Sequence, residues 1–446
     1  MGKELFGTDG IRGAAGEFPL DPQTVYAFGA ALCDAIKAAG DSPEILIGAD
    51  TRESGPWIAG LVAGGVQSRG GSVRYAGVIT TPGVAYLTRS GPFAAGVMIS
   101  ASHNPFQDNG IKVFGHSGFK LPDEEEDAIE QEIFELRRGN IEPQPAALAI
   151  DASLDRMYLD FLASTVPVRF EGMRLVIDCG NGAAYGLAPE LFRRLGAEVK
   201  VLCAEPNGRN INLNCGALHT EGLRATVMAE RADGGVAFDG DADRSIFVAA
   251  SGKIVDGDAV LLAAARSLKS EGRLDGGTVV ATVMSNLGLE KALEREGMRL
   301  IRTPVGDKYV LEEMVRRDAP LGGEQSGHVI FRQYATTGDG MLTALQVFAI
   351  ARRAGVGLDE LTAGFDVYPQ KLVNIRVREK KALKEVPAVA REIQRAEEEF
   401  AGAGRILVRF SGTEPLARVM VEGPDLEQVE NFTARIADAI RSELGA

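Results

Sequence analysis

A serine and three aspartates, far apart in the chain, have the residue types and spacing needed to carry a phosphoryl group. Ser102 lies in the polar turn 99–105. Asp239, Asp241 and Asp243 occupy alternate positions further along. A serine hydroxyl can form a covalent intermediate, and three carboxylates supply the oxygen ligands that Mg²⁺ takes at phosphoryl-transfer sites. The sequence therefore predicts an enzyme that moves phosphate, with these four residues around one magnesium ion.

Each of these motifs also has a plainer interpretation. The three carboxylates could form a solvated acidic turn, although like charges at this spacing raise one another's pKa and a cation resolves that repulsion. An EF-hand does not fit, because Arg244 takes the place of its Gly and Ala250 the place of its final Glu. Ser102 could simply cap a local turn. The chain has no Gly-x-Ser-x-Gly segment, so a serine hydrolase lacks its usual support.

Two further segments add polar side chains. Lys112 follows ten residues after the serine and could act as a general acid or base or hold phosphate charge, although an exposed lysine after a turn is the commoner outcome. A glycine-flanked loop supplies a carboxylate, an amide, a hydroxyl and an imidazole: Glu324, Gln325, Ser326 and His328. Such a set suits the hydroxyls of a sugar, while His328 could equally satisfy a backbone carbonyl.

A short segment near the C-terminus has the composition of a phosphate-binding turn. It contains Arg409, Ser411, Gly412 and Thr413, with Arg418 after it. A guanidinium, hydroxyls and a glycine that frees backbone N–H groups are suited to anions. The same segment also reads as a hairpin turn between two strands, and the two interpretations are compatible.

Composition narrows the class of protein. The 446 residues predict about three domains, and a net charge of -14 from 48 Lys+Arg and 62 Asp+Glu argues against a nucleic-acid or anionic-membrane partner. Four scattered cysteines show neither a disulfide pattern nor zinc-ligand spacing. No apolar segment approaches the roughly 18 residues of a membrane span. We therefore expect a cytoplasmic protein.

Apolar strand patterns alternate with helical patterns along most of the chain, which predicts α/β architecture. Strands are expected at 44–48, 73–78, 94–99, 174–178, 198–203, 235–238, 278–284, 300–304, 371–377, 406–410 and 418–422. Helices are expected at 123–138, 188–196, 307–317, 340–353 and 383–400, with a last helix ending at 442. The predicted domains are 1–152 with the serine turn, 153–255 with the aspartates, 256–367 with the sugar loop and 368–446 with the phosphate turn. A hinge is expected at 365–370.

Taken together, the motifs resemble the α-D-phosphohexomutase superfamily, and the match spans essentially the whole chain. The segments in family order are 6–13 (FGTDGIRG), 99–105 (ISASHNP), 108–112 (DNGIK), 239–244 (DGDADR), 323–328 (GEQSGH) and 409–415 (RFSGTEP). Segments 284–288 and 305–310, with Gln325, look like the branch that acts on glucosamine phosphates. Phe410 and Lys308 depart from residues frequent in the family, which bears on loop shape or phosphate affinity.

The resemblance implies a fold and a set of roles. The implied fold is three similar α/β domains, with mixed sheets and flanking helices, plus a C-terminal α+β domain around a central cleft. Ser102 would be the phosphoserine and would bind Mg²⁺, one ion per chain, together with the three aspartates. Arg12, Lys112 and Arg244 would neutralise charge or relay protons, with His328 nearby. Sugar hydroxyls would contact Glu324 and Ser326, and the non-reacting phosphate would contact Arg409, Ser411, Gly412, Thr413 and Arg418.

The reaction that the resemblance implies is the interconversion of glucosamine 6-phosphate and glucosamine 1-phosphate through a 1,6-bisphosphate. It would feed the synthesis of UDP-N-acetylglucosamine and cell-wall precursors, and a hexosamine or glucose 1,6-bisphosphate would act as activator. A homodimer is also implied. Two alternatives stay open: a phosphoglucomutase or phosphomannomutase of the same superfamily, and a sugar-phosphate sensor without catalysis.

Overall fold

The fold is described from a computed structural model that covers residues 4–7, 9–139, 141–381, 385–411 and 415–446. The chain divides into two compact units. The larger comprises Met1–Val283 with Ile301–Ala363, and the smaller comprises Met284–Leu300 with Gly364–Ala446. Within the described ranges, no helix combines the length and the apolar character needed to cross a membrane.

The first sheet of the larger unit carries both the serine turn and the predicted lysine. Its elements are β1 (Phe6–Gly7), β2 (Gly10–Ala14), α1 (Pro22–Ala38), β3 (Glu44–Ala49), α2 (Gly55–Ser68), β4 (Ser72–Val78), α3 (Thr81–Ser90), β5 (Ala95–Ile99), β6 (Asp108–Gly115) and α4 (Asp123–Arg138). The strand order is β1-β2-β6-β5-β3-β4. β3 pairs in parallel with β4 and β5, whereas β6 is antiparallel to both of its neighbours. β3 and β5 are almost entirely apolar because helices cover the sheet on both faces.

The second sheet ends in the aspartate cluster. Its elements are α5 (Ser153–Ser164), β7 (Arg174–Asp178), α6 (Ala184–Arg194), β8 (Glu198–Leu202), α7 (Glu221–Glu230), β9 (Gly234–Phe238), β10 (Ser245–Ala249) and β11 (Ile254–Val255). The strand order is β11-β10-β9-β7-β8. β9 and β10 form an antiparallel hairpin in which Phe238 pairs with Ser245, so residues 239–244 are the loop that joins them.

The third sheet positions the predicted sugar loop. The elements are α8 (Gly257–Ser270), β12 (Thr278–Thr282), α9 (Leu287–Arg295), β13 (Arg299–Thr303), α10 (Asp307–Arg317), β14 (Leu321–Gly323), β15 (Val329–Phe331), α11 (Gly340–Ala354) and α12 (Leu358–Leu361). The strand order is β13-β12-β14-β15. β14 and β15 are antiparallel, and residues 324–328 connect them.

The smaller unit contains a three-stranded antiparallel sheet covered by two helices. Its tail elements are β16 (Gln370–Arg376), α13 (Pro387–Phe400), β17 (Arg405–Phe410), β18 (Leu416–Glu422) and α14 (Leu426–Leu444), with strand order β16-β18-β17. The segment before α9 is tied to this tail: the Asn286 amide nitrogen donates to the Tyr368 carbonyl (3.0 Å), and the Arg405 guanidinium donates to the Ser285 carbonyl (3.0 Å). Residues 284–300 therefore pack with the tail in the smaller unit.

The predicted architecture of three α/β blocks and a C-terminal sheet-and-helix domain is confirmed. The predicted helices at 123–138 and 307–317 and the strand at 174–178 match the structure to the residue. Helix α13 begins at Pro387, not at 383 as predicted, because proline is suited to the first turn of a helix. Residues 383 and 384 of that prediction lie outside the described part of the chain.

Candidate active site

The serine turn holds Ser102 buried and in a strained backbone conformation. The turn follows β5, Ser102 has a φ of 51°, and only 1% of the residue is exposed. A positive φ in a residue other than glycine costs energy that the surrounding contacts must offset. Its N–H donates to Ser100 Oγ (2.9 Å), and its hydroxyl donates to Asp239 Oδ2 (2.7 Å). The hydroxyl therefore points at the aspartate cluster, as predicted.

Arg52 is a functional residue that sequence reasoning missed. It is buried, and its guanidinium donates to the carbonyl oxygens of Ser102 (2.9 Å), Asn104 (2.9 Å) and Asp108 (3.0 Å), and also to that of Pro105. Arg52 Nε also forms an ion pair with the buried Asp50 (2.9 Å), so the charge is compensated inside the protein. Arg52 thus gathers three carbonyls of the serine turn and the first carbonyl of β6 around one cation.

The three aspartates lie in the β9–β10 loop, which approaches the serine turn very closely. A Cβ atom added to Gly240 would meet the Ser102 carbonyl oxygen at 2.5 Å, a distance that real Cβ atoms essentially never show. The Asn212 side chain donates to the same carbonyl (2.9 Å). Because glycine has no side chain at this contact, the β9–β10 loop and the serine turn can touch through their backbones.

The donor set of the cluster fits a hard divalent cation such as Mg²⁺. One carboxylate oxygen from each of Asp239, Asp241 and Asp243 lies within 4.8 Å of the others. All three residues are buried, and Oδ1 of Asp241 and Oδ1 of Asp243 have no hydrogen-bond partner among the described residues. Burial, together with the charges of Asp243 and Asp241, raises the pKa of Asp239 well above its usual value. An all-oxygen site with unsatisfied buried carboxylates is what Mg²⁺ occupies in proteins.

Lys112 is buried in the centre of the first sheet, and this corrects the plainer interpretation of an exposed lysine. The residue lies in β6, which has neighbouring strands on both sides, and is 2% exposed. Its Nζ lies 2.9 Å from Asp241 Oδ2, 3.5 Å from Asp243 Oδ2 and 3.2 Å from Asp9 Oδ2. Burial opposes the charge, but Asp241 and Asp9 outweigh it and raise the pKa of Lys112 well above its usual value. The lysine is therefore a fixed cation beside the aspartates.

The predicted sugar loop brings its imidazole to the same place. His328 is buried and sits between two blocks: Nε2 accepts from the Gly338 N–H (2.9 Å), and Nδ1 faces Asp243 Oδ2 (3.7 Å). The histidine thus accepts from a backbone N–H instead of donating to a backbone carbonyl. Because Nε2 accepts, the neutral ring carries its proton on Nδ1, toward the carboxylate.

The rest of the loop is more open. Glu324 Oε1 accepts from the Gly306 N–H (3.4 Å), and Ser326 is exposed. The Gln325 amide donates to Asp256 Oδ2 (3.3 Å), beside the first turn of α8. Gln325 therefore has a structural partner of its own, which the sequence pattern did not indicate.

A cavity of about 370 Å³ opens beside these groups, which is large enough for a small ligand. Its polar lining includes the predicted residues Arg12, Asp243, Arg244, Glu324 and His328, together with His103, Asp9 and Asp307. The last three were not predicted as site residues, although all of them lie in segments that carried the resemblance. The structure thus brings predicted residues of the first three blocks together, with the exception of Ser326, which does not line the cavity.

The predicted phosphate turn lies in the smaller unit and is only partly described. Arg409 in β17 is directly opposite Arg418 in β18. Burial and the charge of Arg418 both lower the pKa of Arg409. The Ser411 N–H donates to the Leu416 carbonyl (2.8 Å), which closes the hairpin, so the hairpin interpretation is correct. Gly412 and Thr413 lie outside the described residues.

Family models match the chain along most of its length. The four models are described as phosphoglucomutase/phosphomannomutase alpha/beta/alpha domains I, II and III and the C-terminal domain, and they match residues 3–139, 156–252, 256–368 and 372–439. The four segments are consecutive and in domain order.

Two curated relatives cover the chain from end to end. The phosphoglucosamine mutase of Solibacter usitatus is 69% identical over 445 residues, with 100% of each chain covered. The phosphoglucosamine mutase of Koribacter versatilis is 50% identical over 454 residues, with 99% of this chain and 98% of the relative covered.

Solved structures of lower sequence identity share the fold. A Burkholderia thailandensis phosphoglucomutase/phosphomannomutase family protein superposes with a TM-score of 0.81 at 23% identity, over 98% of this chain and 99% of the other. The N-acetylphosphoglucosamine mutase of Aspergillus fumigatus, crystallised with GlcNAc-6P and magnesium, gives a TM-score of 0.66 at 18% identity, over 98% and 95% of the two chains.

Proposed function

The chain belongs to the phosphoglucomutase/phosphomannomutase family of phosphohexomutases, which makes it an enzyme of the isomerase class, and we propose that it interconverts glucosamine 6-phosphate and glucosamine 1-phosphate. Two full-length relatives, at 69% and 50% identity, carry the name phosphoglucosamine mutase, which supports this substrate pair. The single observation that carries the chemistry is the contact of 2.7 Å between Ser102 Oγ and Asp239, beside two carboxylate oxygens that accept no hydrogen bond from the described residues.

In the proposed first half-reaction, Ser102 carries the phosphoryl group. The free hydroxyl of the bound sugar phosphate attacks the phosphorus atom and loses its proton to a nearby base, while the bond between phosphorus and Ser102 Oγ breaks and Oγ takes up a proton as it leaves. The product is a sugar 1,6-bisphosphate and a serine without phosphate. The positive φ of Ser102 and the carbonyls gathered by Arg52 keep the hydroxyl aimed at one point, so the enzyme contributes chiefly positioning and electrostatics.

The charge of the transferring group needs compensation from several sides. Asp239, Asp241, Asp243 and a phosphoserine oxygen would hold Mg²⁺, which supplies a Lewis acid for the phosphoryl oxygens when bound. Lys112, Arg12 and Arg244 supply fixed positive charge at the same place. Cations that are already in position stabilise a transition state without reorganising during the reaction.

In the second half-reaction the bisphosphate turns end for end and returns its other phosphate to Ser102. Glu324 and Ser326 are proposed to contact the sugar hydroxyls, with His328 near the reacting group. Arg409, Ser411, Gly412, Thr413 and Arg418 are proposed to bind whichever phosphate is idle. A trace of hexosamine or glucose 1,6-bisphosphate would load Ser102 at the start and thus act as activator.

Four further proposals accompany the reaction. All four cysteines are free thiols, which is consistent with a reducing compartment, and we propose a cytoplasmic enzyme. We also propose a role in the supply of UDP-N-acetylglucosamine, a homodimer, and domain boundaries at 152/153, 255/256 and 367/368. Light scattering of the purified protein tests the dimer, and limited proteolysis tests the boundaries.

Relative rates on three substrates test the proposed reaction. We would measure kcat/KM for glucosamine, glucose and mannose 6-phosphates with Mg²⁺ and a trace of glucose 1,6-bisphosphate. A preference for glucosamine of about tenfold or more, equal to about 1.4 kcal/mol of transition-state discrimination, supports the proposal. A preference for glucose or mannose would instead identify a phosphoglucomutase or phosphomannomutase. No turnover of any of the three would point to a sugar-phosphate sensor.

A further inference from the structure

Six charged or titratable side chains of the larger unit form a closed ring beside the active-site cavity. Carboxylates alternate with nitrogen-bearing side chains around this charge ring, whose members are Asp243, Lys112, Asp9, Lys120, Asp307 and His328. In the same order, the distances between neighbours are 3.5, 3.2, 2.6, 2.6 and 3.8 Å, and 3.7 Å closes the ring from His328 to Asp243.

The charge ring connects three separate parts of the fold. Asp9 lies in the turn between β1 and β2, and Asp307 begins α10. Lys120 follows the hairpin after β6 and reaches both of these carboxylates, with 2.6 Å between its Nζ and an oxygen of each. Lys112 and His328 are the members that reach Asp243. Lys120 therefore links the two carboxylates that stand behind these two groups.

Lys120 itself stands behind the cavity wall. Asp9 and Asp307 line the active-site cavity of about 370 Å³, whereas Lys120 lines a neighbouring apolar cavity of about 440 Å³ that shares Asp307 with it. Two of the three ammonium donors of Lys120 are already directed at carboxylates. This placement does not suit a residue that contacts the reacting phosphate. It suits one that holds other residues.

We propose that Lys120 is a positioning residue for phosphoryl transfer, which holds Asp9 and Asp307 and through them fixes Lys112 and His328 at Asp243. The inference rests on the proposed function. Without Lys120, Asp9 would keep Lys112 and Arg12 as partners, but the cation between Asp9 and Asp307 would be lost and repulsion would move these two carboxylates apart. Displacement of about 1 Å at a catalytic group can cost about 100-fold in rate.

The electrostatics of the neighbouring carboxylates agree with this role. Burial opposes ionisation of Asp9, but Lys112 and Lys120 outweigh it and hold its pKa well below the usual value. Burial likewise opposes ionisation of Asp307, but Lys120 outweighs it and lowers the pKa of that carboxyl. Only 17% of the Lys120 side chain is exposed, so solvent screens these pairs less than it screens surface ion pairs.

The first experiment compares Lys120→Met, Lys120→Arg and a control, Lys371→Met, by steady-state kinetics and thermal unfolding. Lys371 forms an exposed ion pair with Glu430 (2.8 Å) and serves as the matched lysine. We expect Lys120→Met to lower kcat about 10- to 100-fold with KM changed less than about threefold. Lys120→Arg should recover most of the loss, and the control should keep wild-type rates. Wild-type kcat in a folded Lys120→Met protein would overturn the proposal.

A double-mutant cycle separates positioning from a merely structural role. If Lys120 acts through the charge ring, Lys120→Met and Asp307→Asn should be non-additive in kcat, and the double variant should lose about as much as the worse single variant. If the fold-loss in kcat of the double variant equals the product of the two single losses, the proposal is overturned. Inactivity of the wild-type enzyme on all hexose phosphates would instead defeat the proposed function, so the two failures can be told apart.

Discussion

The aspartate loop in the larger unit and the arginine turn in the smaller unit differ in how their charges are compensated. In the loop, opposite charges and donors are interleaved: Asp241 accepts from Lys112 (2.9 Å), and Asp239 accepts from Ser102 (2.7 Å). In the turn, two like charges face each other across neighbouring strands, because Arg409 is directly opposite Arg418. The first arrangement is held together by its own residues. In the second, the strand pairing brings two guanidinium side chains to the same side of the hairpin.

This difference suggests two kinds of binding. The aspartates are buried and fixed by neighbours from several strands, which suits a metal ion that stays bound through many turnovers. The two arginines are only half-buried, and burial together with Arg418 lowers the pKa of Arg409. A phosphate that exchanges in every catalytic cycle would relieve this repulsion temporarily. We therefore expect substitutions in the loop to affect kcat and metal dependence, and substitutions in the turn to affect KM.

The largest effect is expected from Ser102→Ala, which removes the atom that would carry the phosphoryl group. Turnover should fall by about 10³-fold or more, since loss of a covalent nucleophile removes the main reaction path. Intact mass after incubation with glucose 1,6-bisphosphate should show one added phosphoryl group on the wild type and none on the variant.

The control for this prediction is Ser90→Ala, whose exposed hydroxyl donates only to the Tyr86 carbonyl (2.6 Å) and which should keep full activity. Ordinary turnover by Ser102→Ala would show that the serine turn is structural and would break the contrast between the two regions.

The next largest effect is expected from Asp241→Asn. One oxygen of Asp241 accepts from Lys112 and from Thr81 (2.5 Å), and the other has no described partner. Substitutions outside the ligand shell cost about 10- to 100-fold in metal affinity, so loss of a ligand should raise the Mg²⁺ concentration for half-maximal rate by at least about 100-fold.

Metal removal tests the same loop without a substitution. A chelator should abolish wild-type activity and added Mg²⁺ should restore it, while the exposed control Asp438→Asn should respond like the wild type. Unchanged Mg²⁺ dependence in Asp241→Asn would mean that the loop is a solvated acidic turn.

A third prediction concerns Arg52, which supports the serine turn. Arg52→Met leaves the buried Asp50 without its cation and frees three carbonyls of the serine turn and that of Asp108. Breaking a buried ion pair costs about 3–5 kcal/mol, so the free energy of unfolding in urea should fall by about that amount. Arg209→Met, which breaks an exposed pair with Glu53 (2.7 Å), should cost about 1 kcal/mol or less. Equal losses of unfolding free energy in the two variants would show that burial does not decide how much an ion pair contributes to stability.

The smallest effect is expected in the turn. Arg409→Ala should raise KM for the sugar phosphate about 10- to 100-fold with a smaller change in kcat, because a charged hydrogen bond to phosphate contributes about 1.5–3 kcal/mol. Arg378→Ala, an exposed arginine in the same unit, is the control. A fall in kcat at unchanged KM would show that the turn acts in the chemical step and would remove the contrast with the loop.

Much of the site was predictable because most of its functional residues lie in short contiguous motifs. Ser102 and the three aspartates follow strands whose apolar runs are recognisable, so both type and place could be read from the sequence. Lys112 was ambiguous because its burial depends on β6 having partners on both sides. The flanking apolar residues Ile111 and Val113 are the local signal that favours a buried strand.

The unpredicted residues act through partners that local sequence does not specify. Arg52 binds four backbone carbonyls, and carbonyls carry no sequence signal; only its place after a strand could have drawn attention to it. Lys120 meets Asp307 across 187 positions of the chain. The tie between Asn286 and Tyr368 is likewise long-range, and the motif around Asn286 looked like a marker of substrate branch when part of its role is to anchor the tail.

The close approach at Gly240 limits which mutations the gene can tolerate at this position. Every amino acid that a single nucleotide change can substitute for glycine brings a Cβ atom, and at this position that atom would meet the Ser102 carbonyl at 2.5 Å. Any such change must push the serine turn away from the aspartates. Apart from synonymous changes, no single nucleotide change in the Gly240 codon should therefore be neutral. We expect selection on this enzyme to remove every missense variant at this position.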